Sequence, residues 1–240
     1  MKQLIFSISA ILFSVTLFAQ ECTSGKGIFI PRATYTRELY WKTKLIRSFK
    51  GSVSYVNTTD GNRLMAQTDF QGYYKDGEKN QRNKYKETVT CSGADYQFSF
   101  RTVAEINGLT PLFLMDEDGL FRITQGTLSF PIEGKDGDAL PDINLRGMCH
   151  LSSEPEREYP ITADLTNRKY VGKESITVPA GSFNCIKYTF AMAMDANSLG
   201  RFSGDKEITM WVSEGLIVKS EVKNSKGKII NSSQLSIFNK

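Results

Sequence analysis

Apolar residues occupy every second position over long stretches of this chain. A period of two places successive side chains on opposite faces of a strand, so the pattern predicts β-strands with one buried face. Shorter alternations occur at residues 96–100 and 128–132. The longest alternation covers nine residues, and its apolar members share one face: Ile186, Tyr188, Phe190, Met192 and Met194.

Turn signals separate these alternating runs. Asp and Gly tolerate the positive φ of the tight turns that match strand twist, so each such pair predicts a hairpin. The turn pairs are Asp60-Gly61, Asp76-Gly77, Asp118-Gly119, Asp136-Gly137 and Lys226-Gly227. We predict strands near residues 33–42, 46–57, 62–74, 83–91, 95–101, 120–132, 143–151, 159–178, 183–194, 206–213, 216–224 and 228–238.

This series of hairpins predicts an all-β fold. A helix is predicted only between Thr102 and Asn107, because Gly108 and Pro111 then stop it. A long succession of antiparallel strands must close on itself or leave exposed edges. We therefore expect one strongly curved antiparallel sheet or a partly open barrel, with at most one or two short helices. No linker-like stretch divides residues 20–240, which we interpret as a single β-rich domain.

The first nineteen residues are typical of a secretory signal peptide. A short basic start, Met1-Lys2-Gln3, precedes the mostly apolar residues 4–18, and Ala19 provides a small residue at the expected cleavage point. A membrane anchor is the alternative, but the apolar run is shorter than the roughly 20 residues that cross a bilayer. Lipidation of Cys22 is a further alternative, although Glu21 does not suit it. We expect an exported protein, either periplasmic or released from the cell.

Four cysteines lie beyond this segment, and an even number in an oxidising compartment predicts two disulfides. Three connectivities are open. Counting strands from residue 33 returns the end of the fourth strand, at Cys91, to the side where the chain enters, near Cys22. We therefore favour Cys22–Cys91, which leaves Cys149–Cys185 by elimination.

The sequence lacks the usual signatures of enzymes. It has a single histidine and contains no G-x-S-x-G, P-loop or H-E-x-x-H pattern. We expect no enzymatic activity, no cofactor and no metal site. The net charge of +4 is scattered, which argues against nucleic-acid binding. The lysine-rich segment 75–86 also contains Asp76 and Glu78, so a solvated hairpin is a better interpretation than a phosphate site.

Two segments resemble a known family. They read ITADLTNRKYVGKESITVPAGSFNCIKYTF from residue 161 and WVSEGLIVKSEVKNSKGKIINSSQLSIF from residue 211. Their characteristic residues are Gly172, Lys173, Glu174, Val178 to Gly181, Phe183, Cys185, Trp211, Gly215 and Val218 to Glu221. These residues resemble a TapB-type family of exported bacterial proteins of unknown function, which is similar to LolA/LolB-like open barrels. We expect Phe183 and Trp211 to fill the core and Glu174 to pair with Lys219.

The resemblance implies a LolA-like hollow that accepts acyl chains, and it suggests a lipid or other hydrophobic small molecule as the partner. Flexible methionine side chains suit such ligands. The expected lining is Ile186, Tyr188, Phe190, Met192 and Met194. Four consecutive apolar residues do not suit a solvent-facing loop, so a lid is predicted at Leu112, Phe113, Leu114 and Met115. The alternative is a structural or interaction protein of the cell envelope with a closed core and no ligand.

Overall fold

A computed structural model describes residues 22, 24–59, 63–108, 121–151, 154–195 and 206–240. These residues form an almost entirely β structure, as predicted. The strands are β1 (Thr34–Trp41), β2 (Lys44–Thr59), β3 (Arg63–Tyr74), β4 (Lys79–Cys91), β5 (Asp95–Phe98), β6 (Phe121–Gln125), β7 (Leu128–Pro131), β8 (Ile143–Leu151), β9 (Glu154–Val178), β10 (Gly181–Asp195), β11 (Glu207–Ser213), β12 (Leu216–Lys223) and β13 (Ile229–Asn239). The predicted helix is confirmed as α1 (Phe100–Ile106), and a short 3₁₀ turn spans Gly27–Phe29.

All the strands belong to one antiparallel sheet of 13 strands, which is not closed. Its order is β6-β8-β9-β10-β11-β12-β13-β1-β2-β3-β4-β5-β7. The last strand pairs with the first, from Thr34 opposite Asn239 to Trp41 opposite Asn231. This pairing joins the N-terminal and C-terminal halves of the chain into one continuous curved sheet.

The prediction of a single strand at residues 120–132 is wrong, because this segment forms two strands at opposite edges of the sheet. β6 pairs with β8, whereas β7 pairs with β5. Gly126 separates them with a positive φ of 93°, and a Cβ atom there would lie 2.6 Å from the Asn144 carbonyl oxygen. The chain therefore passes from one edge to the other within two residues, which brings the two edges close together.

Helix α1 lies inside the curled sheet. The hydroxyl of Ser99 accepts a hydrogen bond from the Thr102 amide and caps the first turn. Most of the helix is buried, including Val103 and Ile106. Beyond its C-terminus, the Asn231 side chain on β13 donates a hydrogen bond to the Asn107 carbonyl oxygen at 3.2 Å. The helix thus crosses the interior from β5 to β13.

The antiparallel order sorts the hairpin turns onto two ends of the sheet. One end carries the β9–β10 turn at residues 179–180 and the β11–β12 turn at residues 214–215, and we call it the "cleft end". The N-terminal segment 24–33 also lies there, with Ile28 and Phe29 buried. The opposite end carries the β1–β2, β3–β4 and β12–β13 turns at residues 42–43, 75–78 and 224–228, and we call it the "turn end".

One of the two predicted disulfides is formed. Cys22–Cys91 is present, with the Cα atoms 5.8 Å apart, and it fastens the N-terminal segment to the end of β4. The predicted Cys149–Cys185 pair is wrong, because Cys185 is a free, buried thiol. On β9, Cys149 lies opposite Tyr159 and Cys185 lies opposite Glu174, and these two positions are fifteen residues apart. At about 3.3 Å per residue this is roughly 50 Å along the strand, far beyond disulfide reach.

Candidate functional site

A notch in the sheet is the main concave feature of the cleft end. It arises because the β11–β12 hairpin is shorter than its neighbours. β10 begins to pair with β11 at Ile186, and the pairing of β13 with β12 reaches only to Gln234. Residues 181–185 of β10 and 235–239 of β13 therefore have no paired strand on the side that faces the β11–β12 hairpin.

The far side of the notch is closed by the tip of the β9–β10 hairpin. The backbone amide of Ala180 donates a hydrogen bond to the Leu235 carbonyl oxygen at 3.3 Å. Nearby, the rings of Phe183 and Phe238 meet edge to face, with centroids 6.4 Å apart. The β11–β12 turn on one side and the tip of the β9–β10 hairpin on the other enclose a cleft of ≈ 900 Å³.

The lining of the cleft is mixed, with apolar side chains at its base and more polar than apolar surface overall. Phe183 and Phe238 are half-buried, so part of each ring faces the cavity. The floor is made of core side chains: Tyr96, Ile186, Val212 and Leu216. The charged residues that line the cleft are Lys26, Lys173, Glu174, Glu214 and Lys240. This combination suits a ligand that has both an apolar and a polar part.

Two glycines allow the N-terminal segment to close the floor of the cleft. Gly27 has a φ of 51°, and a Cβ atom there would lie 2.3 Å from the Glu214 carbonyl oxygen. Gly215 has a φ of 75°, and its Cβ would lie 2.9 Å from a methyl carbon of Ile28. Both positions therefore require a residue without a side chain. This requirement explains why Gly215 is one of the characteristic residues of the sequence resemblance.

Two ionisable groups in the cleft are held in their neutral forms. Burial, reinforced by the charge of Glu214, raises the pKa of Tyr96 to about 12. Burial and the nearby Glu174 carboxylate raise the pKa of Cys185 to about 12. The thiolate is the nucleophilic form of cysteine, so a thiol with this pKa is a poor nucleophile at neutral pH.

Glu174 and Trp211, both singled out in the sequence, are in direct contact on the outer side of the cleft. The Trp211 indole N–H donates a hydrogen bond to Glu174 at 2.5 Å, and Lys187 approaches the same oxygen at 3.2 Å. The indole hydrogen bond and Lys187 hold the pKa of Glu174 below its ordinary value. The expected ion pair between Glu174 and Lys219 is not made; Lys219 pairs with Glu221 at 2.7 Å and lies over the Trp211 ring. Trp211 is buried, as predicted.

Strand β7 occupies the space above Tyr188 and Phe190, in the middle of the predicted hollow. All five expected lining residues are buried (Ile186, Tyr188, Phe190, Met192 and Met194). Phe130 packs on Tyr188 and Phe190, with ring centroids 5.0 Å and 5.6 Å away. Of the five, Ile186 alone lines the cleft. The predicted lid, Leu112 to Met115, lies outside the described residues.

Sequence reasoning missed Phe238 and the cavity role of Phe183. One signal was available for Phe238. The strand alternation breaks at Ile237-Phe238, where two large apolar residues are adjacent and so must face opposite sides of the sheet. In the structure Phe238 lines the cleft, whereas Ile237 is 49% exposed.

Two solved structures share the fold of this chain. A protein of Bacteroides fragilis, described as exported and as having a YmcC-like fold, is 20% identical with a TM-score of 0.69 over 88% of this chain and 97% of that one. A protein of Parabacteroides distasonis, described as a lipoprotein, is 14% identical with a TM-score of 0.63 over 88% and 96% of the two chains. At these identities the likeness concerns the fold. A search of curated proteins found no match.

None of the helices within the described residues is long and apolar enough to cross a membrane.

The family is identified by a match that covers most of the chain. The model of the DUF3108-like family matches residues 32–235, from just before β1 into β13. The chain therefore belongs to the DUF3108-like family.

Proposed function

We propose that this protein is an exported, non-catalytic binding protein that holds an amphipathic, lipid-like ligand in the cleft at the cleft end. The observation that carries the proposal is the notch itself. Two half-buried aromatic rings, Phe183 and Phe238, face a cavity of ≈ 900 Å³ above an apolar floor. Cavities that bind small molecules have volumes of roughly 300–1,000 Å³ and combine apolar walls with a few polar groups.

The charges of the rim favour an anionic head group on the ligand. The Glu174 carboxylate already accepts a hydrogen bond from Trp211 and an ion pair from Lys187. Three lysines line the cleft, Lys26, Lys173 and Lys240, against one further carboxylate, Glu214, so lysines remain in excess. Lys173 contacts Glu133 at 3.0 Å, but this pair is about half exposed and therefore weak. An acyl chain against the phenylalanines with its carboxylate or phosphate at the lysines satisfies both parts of the cleft.

The cleft is a better site for such a ligand than the face of β10. A LolA-like use of that face, which the sequence resemblance implies, requires an unfilled hollow. Phe130 and the rest of β7 occupy the space above Tyr188 and Phe190. The proposal therefore retains the ligand class of the LolA-like resemblance and moves the site to the notch.

Export is supported by several independent features. The N-terminal sequence is typical of a signal peptide. The Cys22–Cys91 disulfide suits an oxidising compartment. The two structural neighbours are described as an exported protein and a lipoprotein. We propose the periplasm as the location, with release from the cell as the alternative.

Displacement of a fluorescent fatty acid tests the proposed function. We expect saturable binding by the wild type and at least about tenfold weaker binding by Phe183→Ala and Phe238→Ala, since each removes about half of the exposed aromatic wall. Ile237→Ala is the matched control, because Ile237 is the next residue on the same strand and does not line the cleft. Thermal melts of the three variants serve to check that each one folds.

Two results would contradict the proposal. One is the absence of saturable binding by the folded wild type, which favours the alternative of an envelope interaction protein without a ligand. The other is equal loss of affinity in Ile237→Ala and Phe238→Ala, which places the bound fatty acid outside the cleft.

A further inference from the structure

Three hairpin turns at the turn end share one feature: an exposed, large apolar side chain directly beside a lysine. The pairs are Trp41-Lys42 at the β1–β2 turn, Tyr74-Lys75 at the β3–β4 turn and Lys228-Ile229 at the β12–β13 turn. The apolar side chains are 58%, 47% and 38% exposed, respectively. Single exposed apolar side chains are common, but a group of them at one end of a molecule marks an interaction surface.

The three turns lie next to one another. The Lys42 amide donates a hydrogen bond to the Ile230 carbonyl oxygen at 2.8 Å, so the β1–β2 and β12–β13 turns are in contact. Tyr74 lies opposite Arg47 on β2, three residues from Lys44. The β3–β4 turn is therefore one strand away from the first turn. We call the three turns with their flanking residues 41–44, 74–79 and 226–229 the "basic turn surface".

Lysines dominate the charge of the basic turn surface. Its exposed lysines are Lys42, Lys44, Lys75, Lys79, Lys226 and Lys228. Its exposed carboxylates are Asp76 and Glu78, both in the β3–β4 turn, and Asp76 accepts a hydrogen bond from the Glu78 amide. Glu221 lines a small pocket beside Lys42 and Lys228, but it is paired with Lys219 at 2.7 Å. A negatively charged partner therefore complements this end.

We propose that the basic turn surface docks on an anionic phospholipid bilayer. Tryptophan and tyrosine rings favour the boundary between water and the acyl region, and lysines favour anionic head groups within the reach of the Debye length. The apolar groups are few and stand at the tips of turns, each beside a lysine. This arrangement suits shallow insertion into a lipid surface, whereas a protein interface buries its anchoring side chains together near its centre.

This inference is independent of the proposed ligand cleft, because the two features lie at opposite ends of the strands. A molecule that docks through the basic turn surface keeps the cleft end pointing away from the bilayer. Loss of fatty-acid binding in a cleft variant therefore leaves vesicle binding unchanged, and the two proposals fail separately.

Vesicle sedimentation tests the inference directly. We expect the full-length mature protein to sediment with phosphatidylglycerol-containing vesicles at low ionic strength and to be released from them by salt. It should not sediment with vesicles of pure phosphatidylcholine. Trp41 fluorescence should shift to shorter wavelength on binding, and brominated lipid should quench it. The second tryptophan, Trp211, is buried and held by Glu174, so it contributes a constant background.

Matched variants separate docking from general charge effects. The double variant Lys42→Glu/Lys228→Glu should bind at least about 20-fold more weakly, because each lysine near an anionic surface contributes roughly fivefold in affinity. Trp41→Ala should also weaken binding. The controls are Lys135→Glu/Lys169→Glu, with the same charge change away from the turn end, and Tyr55→Ala, which removes an exposed aromatic in the middle of β2.

The controls are expected to bind within about twofold of the wild type. The proposal is overturned if the wild type does not bind the anionic vesicles at low salt. It is equally overturned if Lys42→Glu/Lys228→Glu, shown by circular dichroism to be folded, binds as tightly as Lys135→Glu/Lys169→Glu.

Discussion

The hydroxyl group of Tyr188 on β10 donates a hydrogen bond to the carbonyl oxygen of Pro131 on β7 at 2.6 Å. β7 is an edge strand of the sheet, yet this bond and the neighbouring ring of Phe130 hold it against the inner face of β10. The sheet is therefore curled until one edge covers its own middle. Its interior is a packed core, and the open cavity is displaced to the end of the strands.

Truncation of Phe130 tests this packing. Phe130 is buried at 1% exposure and contacts the rings of Phe98, Tyr188 and Phe190. We expect Phe130→Ala to lower the free energy of unfolding by about 3–5 kcal/mol, measured by urea denaturation. Tyr55→Ala, at an exposed position, should change it by no more than about 0.5 kcal/mol. A Phe130 effect as small as the control indicates that β7 does not fill the space above β10.

The Cys22–Cys91 disulfide should stabilise the fold by closing a long loop. The two cysteines are 69 residues apart. In the chain-entropy model, cross-linking a loop of this length contributes about 4 kcal/mol. We expect Cys22→Ser to lower the free energy of unfolding by up to this amount, and the wild type in reductant to unfold at the same urea concentration as the variant. Identical stability of oxidised and reduced wild type would show that the N-terminal segment closes the cleft floor without the disulfide.

The free thiol of Cys185 should be unreactive in the native protein. It is buried, and the raised pKa of about 12 keeps it protonated at neutral pH. Since the thiolate is the reactive form, iodoacetamide should label Cys185 slowly in the native state and rapidly in denaturant. Peptide mass spectrometry measures both. Recovery of Cys185 in a disulfide with Cys149 from non-reduced protein would contradict the structure.

Glu87 should make stability depend on pH. It lies on β4 facing α1, is 3% exposed, and accepts a hydrogen bond from Ser99. Burial, followed by the charge of Glu105, raises its pKa well above the ordinary value, against the opposing effect of Arg37. Protonated Glu87 therefore stabilises the fold at low pH, and this contribution is lost as the pH rises through the folded pKa.

A pH series of urea denaturation measures this contribution. Relative to Glu87→Gln, which stays neutral, the wild type should lose stability as the pH rises above about 4.3, the ordinary glutamate value. The exposed Glu78→Gln serves as the control and should follow the wild-type curve. A difference between wild type and Glu87→Gln that is constant with pH would exclude Glu87 as the titrating group.

Strand positions follow closely from the sequence, because period-two alternation and turn residues are local signals. Residues 183–194 were predicted as a strand, and β10 spans Gly181–Asp195. The segment 120–132 shows the limit of such signals. Alternation predicts a strand but does not specify its partner, and the contact of Gly126 with Asn144 that separates β6 from β7 joins residues distant in sequence.

The candidate site was less predictable for the same reason. Phe183, Cys185 and Glu174 were singled out as motif residues, and all three line the cleft. The cavity itself exists because residues 181–185 and 235–239 are not paired with the β11–β12 hairpin, and this depends on the register between strands. The five apolar residues of β10 were correctly placed on one face, but a buried face does not reveal whether ligand or protein covers it.

Photo-cross-linking with a diazirine-labelled fatty acid is the most direct test of a ligand site in the cleft. We predict saturable labelling that peptide mass spectrometry maps to residues 173–186 and to Phe238, and that unlabelled fatty acid competes away. Labelling that maps to Met192 or Met194, or a wild-type protein that is not labelled saturably, would contradict the account.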